Sequence, residues 1–186
     1  MLAGRAALGD GLVTRTSKLT ARLLVLGALL VAAPSAAAHA TIELKGEQPI
    51  AGKRGTLTVT IPHGCGIGQG GVGLATDRLV VRLGSGWPSA KAIAIDGWTS
   101  TVARASAGNW TITWVATAGG LPNTSIGDFP IAVRWPRVAG IYKTPTFQHC
   151  GANIMKWSDP YASAASADQD YPPIYPVPRI QILPAS

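Results

Sequence analysis

Apolar side chains alternate with polar ones through much of the chain beyond residue 39. Leu57, Val59 and Ile61 are interleaved with Thr56, Thr58 and Thr60, and Trp110, Ile112 and Trp114 with Thr111 and Thr113. Successive side chains of a strand point to opposite faces, so each run predicts a strand with one buried face. Ile93 and Ile95 alternate with small residues in the same way. Further strands are predicted over 40–44, 78–83, 99–104, 130–135, 140–147, 154–157 and 179–183, separated by punctuation such as Gly119-Gly120 and Pro122-Asn123. No 3.6-residue stripe competes with this period. About nine short strands of this kind predict an all-β chain, an immunoglobulin- or fibronectin-like sandwich of about 7–9 strands.

Two stretches lack the alternation. The Gly-rich segment 64–73 has no internal core, and the tail 158–178 is rich in Ala and Ser, then in Tyr and Pro. The run Tyr171-Pro-Pro-Ile-Tyr-Pro-Val-Pro178 favours an extended polyproline conformation that lies along a sheet edge before a last strand joins at 179–183.

The first 38 residues read differently. Arg5, Arg15, Lys18 and Arg22 precede the apolar run 23–33, and Ala36-Ala37-Ala38 follows it. A basic region, a short apolar core and small residues at the cut are the pattern of an export signal, with cleavage after Ala38. The run is interrupted by Pro34 and is short of the roughly 20 residues a membrane helix requires, and no second apolar span follows it. The expected organisation is a signal peptide over 1–38 and one domain over 39–186, with a core at about 39–157 and a Pro-rich tail and last strand over 158–186.

Processing also changes the charge. The full chain carries a formal +7, and removal of Arg5, Arg15, Lys18, Arg22 and Asp10 leaves +4. That charge is diffuse and leaves no Lys/Arg cluster, which argues against a nucleic-acid partner. The mature chain is expected in the periplasm, the envelope or the medium, without a stable membrane span. Such compartments are oxidising, so Cys65 and Cys150 are expected to form a disulfide.

Cleavage after Ala38 places His39 at the new amino terminus. There the free amine and the imidazole Nδ1 sit on one short tether, and both can close a chelate ring on a single ion. Two nitrogen donors favour Cu(II) among the first-row divalent ions. Both bind protons in competition with the metal, so binding weakens in acid. The other two histidines lie beside the cysteines, in His63-Gly64-Cys65 and His149-Cys150. If those cysteines stay reduced, the four side chains form an alternative Zn(II) or Cu(I) ligand set.

His39-Ala-Thr-Ile, Pro62-His63-Gly64-Cys65, Ala75-Thr76, Gly97-Trp98, Ile112-Thr113-Trp114, Gly119-Gly120-Leu121-Pro122, Phe129, Phe147-Gln148-His149-Cys150 and Trp157 follow one another in an order that resembles the YcnI-like copper-binding domain family. The resemblance runs from His39 to Trp157. It implies an exported immunoglobulin-like sandwich that holds Cu(II) by the terminal amine and imidazole of the first mature residue, with a carboxylate from a neighbouring strand and a tryptophan close by. His39 matches the first of these and Trp157 the tryptophan. Val80 stands where the family's carboxylate aligns, and Asp77 is the nearest carboxylate in sequence to replace it. Indole carries a proton on its nitrogen, so Trp157 would shield the metal or stack on its ligands rather than ligate it.

Enzymatic readings find little to draw on. No Gly-x-Ser-x-Gly elbow is present, and a copper oxygenase of the two-histidine kind would need a second imidazole from His63 or His149 in surroundings that those enzymes do not share. The expected function is therefore non-catalytic: Cu(II) uptake, trafficking or homeostasis, in exchange with a copper chaperone or copper transporter of the same envelope. The alternative is a structural or interaction sandwich whose metal site has degenerated.

Overall fold

The computed structural model describes residues 39–66, 73–161 and 173–185. The expected signal peptide, the middle of the Gly-rich segment, and the Ala/Ser part of the tail with Tyr171 and Pro172 lie outside them. Eleven strands are formed among the described residues: β1 (Thr41–Glu43), β2 (Arg54–Ile61), β3 (Arg78–Leu83), β4 (Ser89–Ala92), β5 (Trp98–Arg104), β6 (Trp110–Ala116), β7 (Gly127–Arg134), β8 (Gly140–Lys143), β9 (Thr146–Cys150), β10 (Asn153–Trp157) and β11 (Arg179–Ile182).

They assemble as a four-stranded sheet in the order β1-β2-β7-β4, a five-stranded sheet in the order β10-β9-β3-β6-β5, and a β11-β8 pair. Every pairing between them is antiparallel. The inner faces follow from the alternation. Leu57, Val59 and Ile61 of β2 and Phe129, Ile131 and Val133 of β7 meet Leu79, Val81 and Leu83 of β3 and Ile112 and Trp114 of β6 in one buried cluster. Full burial of such side chains contributes about 1.5–3 kcal/mol each. Phe129 joins the two sheets, taking Trp98 edge-on at 5.0 Å and Trp114 at 5.5 Å.

The fold is thus the expected all-β sandwich, with more strands than the expected seven to nine. Two local differences have the same cause, a proline without an N–H. The run expected at 140–147 breaks at Thr144-Pro145 into β8 and β9, which then serve different sheets. Buried Thr144 turns the chain there by donating both its N–H and its Oγ1 to the Pro178 carbonyl, at 2.8 and 3.1 Å. The strand expected around Ile93 and Ile95 lies earlier, at β4. Ala90 faces the core beside Val133, and the ladder on β7 stops where Ile93 comes level with Pro130.

The described end of the tail, 173–178, forms a strap. The Asp159 N–H donates to the Tyr175 carbonyl, the Asp159 carbonyl accepts the Val177 N–H, and the Asp159 carboxylate accepts the Tyr175 N–H at 3.0 Å. Beyond it β11 joins β8, and Leu183 bridges to Ile50. This carries Tyr175 onto the end of β10.

Candidate functional site

Residues of the outer strands gather around one buried amide. The cross-strand register puts Gln148 of β9 level with Leu79 of β3 and Met155 of β10. Since Leu79 is fully buried, Gln148 shares its inward face and is itself fully buried. A buried amide needs partners, and Gln148 has them. Its Nε2 donates to the His63 carbonyl at 2.6 Å and to Thr76 Oγ1 at 2.8 Å, and its Oε1 accepts the Trp157 indole N–H at 3.0 Å. The Cys65–Cys150 disulfide, with Cα atoms 5.9 Å apart, ties the segment after β2 to the end of β9 beside this amide. The pairing expected from the compartment is therefore formed, and it leaves no reduced cysteine for a Cys/His ligand set.

Trp157 is held on three sides. Gln148 fixes its nitrogen, Tyr175 of the strap packs edge-on at 5.3 Å, and the His39 ring meets it edge-on at 6.3 Å. His39 is exposed while Ala40 beside it is buried. Its position follows from β1, whose register on β2 begins at Thr41 opposite Thr60; the same register continued by two residues leads from His39 to Pro62. The next residue is His63, whose carbonyl already belongs to the Gln148 cluster.

The His63 ring is oriented by its own loop. Its Nδ1 lies 2.6 Å from the Gly64 carbonyl. A carbonyl only accepts, so Nδ1 carries a proton, and in the neutral ring the lone pair is on Nε2. Imidazoles that bind metals are commonly oriented in this way by a carbonyl behind the ring.

The remaining sequence candidates lie elsewhere. Asp77 sits at the entrance to β3, where its Oδ2 accepts the Gly151 N–H at 2.6 Å and its own N–H donates to the His149 carbonyl. Gly151 makes the turn between β9 and β10, whereas Trp157 pairs with Thr146 at the open end of that hairpin. The two ends are separated by four residues, or about 13 Å of strand. His149 follows Gln148 and so points to the outer face, beside Arg78. Burial and the Arg78 charge lower its pKa against the opposing pull of Asp77. Val80 is likewise on the outer face, between Phe147 and Thr113. A carboxylate at position 80 would point away from Trp157, so its absence takes nothing from the surroundings of that ring. Among the described residues no group of three or more His, Cys, Asp or Glu side chains is placed to hold a metal ion.

Gln148 and Tyr175 belong to this cluster although nothing in the sequence motifs marks them. The signal for Gln148 lies in strand parity instead: it occupies the inward parity of Thr146-Phe147-Gln148-His149-Cys150, where an amide is unexpected. Tyr175 left no signal, since only the strap brings it to Trp157.

The sequence pattern of a family described as "Domain of unknown function (DUF1775)" matches residues 39–182. The chain belongs to this DUF1775, YcnI-like family. No curated protein matches it significantly. Among solved structures, the DUF1775 chain is similar to the crystal structure of an uncharacterized protein from Nocardia farcinica, described as having an immunoglobulin-like fold. The TM-score is 0.62 at 21% identity, covering 77% of this chain and 97% of that one. This likeness shows the immunoglobulin-like fold. A cohesin module from a Clostridium perfringens family 33 glycoside hydrolase gives a TM-score of 0.47 at 8% identity, covering 78% and 95%. The matched family span begins at His39, the residue that meets Trp157.

Proposed function

We propose that this DUF1775 chain is an exported, non-catalytic carrier whose cargo is Cu(II), acting in copper uptake, trafficking or homeostasis. Cleavage after Ala38 would free the amine of His39, which binds copper together with its own Nδ1. His63 supplies the third nitrogen through Nε2, and Trp157 covers the ion from the core side. The observation that supports this reading most is the edge-on approach of an exposed His39 to a buried tryptophan that is fixed by a fully bonded glutamine. A buried apolar wall beside an exposed terminal donor excludes water from one side of the ion and limits the geometries it can adopt. Three nitrogens without thiolate fit Cu(II) better than Cu(I). An exchange partner would be a copper chaperone or transporter in the same envelope.

Titration of the chain beginning at His39 with Cu(II), followed by electron paramagnetic resonance, tests the reading. One equivalent is expected to give a nitrogen-rich signal that His39→Ala abolishes, His63→Ala alters and His149→Ala leaves unchanged. The alternative of an interaction sandwich with a degenerate site is favoured by the lack of a three-residue ligand cluster among the described residues. Stoichiometric copper loss to free glycine would establish it.

A further inference from the structure

The charge that is scattered along the sequence is gathered by the fold. Parity along β2, β7 and β4 turns Arg54, Arg134 and Lys91 outward, away from Leu57, Ile131 and Ala90. In register, Arg54 stands directly opposite Arg134, which stands opposite Ser89; one row on, Thr56, Ala132 and Lys91 are level. The small side chains of Ser89 and Ala132 leave space between the long ones. The result is a cleft of about 570 Å³ whose charged lining is Arg54, Lys91, Arg134 and Arg137, with no carboxylate in the lining.

Two arginines directly opposite each other on a sheet repel and destabilise the pairing. Proteins commonly set a carboxylate between such charges, and this chain does so elsewhere: Lys45 holds Asp128 at 2.9 Å, while Asp128 also accepts from Thr60. None of the four cleft cations has an ion pair among the described residues. The volume is that of a small-molecule site, and planar guanidinium groups match the paired oxygens of phosphate.

We propose that this cleft, on the outer face of the four-stranded sheet, binds a compact phosphate-type polyanion with at least two anionic groups, of the size of pyrophosphate. The anion lies over Ala132, between the Arg54–Arg134 pair and Lys91, and neutralises the repulsion between the two arginines. This site is separate from His39 and does not depend on copper.

Calorimetric titration of the metal-free protein with inorganic pyrophosphate tests the proposal. One equivalent is expected to bind, more weakly as sodium chloride is raised, and to raise the melting temperature. The Arg54→Gln/Arg134→Gln double variant is expected to bind at least tenfold more weakly while melting, without ligand, no lower than the parent. Lys45→Gln, outside the cleft, should bind as the parent does. The proposal is overturned if the double variant binds as tightly as the parent, or if no heat of binding appears at millimolar pyrophosphate. Equal affinity for citrate would overturn the assignment to phosphate.

Discussion

The indole nitrogen of Trp157 donates to Gln148 Oε1 at 3.0 Å, and both side chains are buried. The bond joins two adjacent strands through their inward side chains and sets the plane of the ring that His39 approaches. Gln148 also holds the His63 carbonyl, so one amide positions the surroundings of both histidines.

Removing that amide should therefore cost more than an ordinary core substitution. Gln148→Leu leaves the Trp157 N–H and the His63 carbonyl without this partner, at about 1–3 kcal/mol for each buried group left unsatisfied. Trp157→Phe leaves only Gln148 Oε1 without its donor and should cost less. Urea denaturation of the two variants against the parent checks the order. Equal stability of Gln148→Leu and parent would contradict it.

The disulfide closes a separation of 85 residues. Its removal in Cys65→Ala/Cys150→Ala should cost about 2–5 kcal/mol. The same variant should also weaken copper retention, because Gln148 and His63 lose the anchor beside them. Denaturation midpoints and copper titrations of the double variant provide both readings.

His149 provides a pH dependence with a definite sign. Its folded pKa is depressed, first by burial and then by Arg78, so the unfolded chain binds the proton more readily. The stability is full above the ordinary histidine value and falls as pH drops through the depressed folded value. His149→Gln should flatten this part of the stability curve, below the ordinary histidine value. Equilibrium unfolding across that range is the measurement, and an unchanged slope in the variant would count against the assignment.

Gly120 has φ +71°, and a methyl group there would collide with the Thr76 carbonyl; Gly119 has φ +65° but open space around it. Alanine at 119 should cost about 1–2 kcal/mol for the left-handed backbone alone. Alanine at 120 should cost clearly more, because Thr76 and Leu121 form a bridge on either side. Thermal melting of the two variants compares them directly.

Much of the sandwich is legible in the sequence because a period of two needs nothing but neighbours to reveal it. Threonine alternating with Leu57, Val59 and Ile61, or with Ile112 and Trp114, states the inward face outright. The sequence does not reveal where Pro145 and Pro130 end a ladder, since that depends on which partner strand lies opposite. The site is legible in part. His39 and Trp157 are singled out by position and resemblance, and the fold places their rings together. His63 and His149 look equivalent beside their cysteines, yet one carbonyl joins the Gln148 cluster while the other side chain takes the outer face. Asp77 is near β3 in sequence but is occupied by the Gly151 turn. Arg54 and Arg134 are 80 residues apart and become neighbours only through the β2–β7 register.

The central claim is that a free amine on His39 makes the copper site. It is tested most directly by comparing the chain that begins at His39 with the same chain acetylated at that nitrogen, which keeps every side chain. The free form should hold one Cu(II) against excess glycine, with amine and imidazole nitrogens in its electron paramagnetic resonance spectrum, and the acetylated form should release it. Equal retention by both forms, or release by both, would contradict the account.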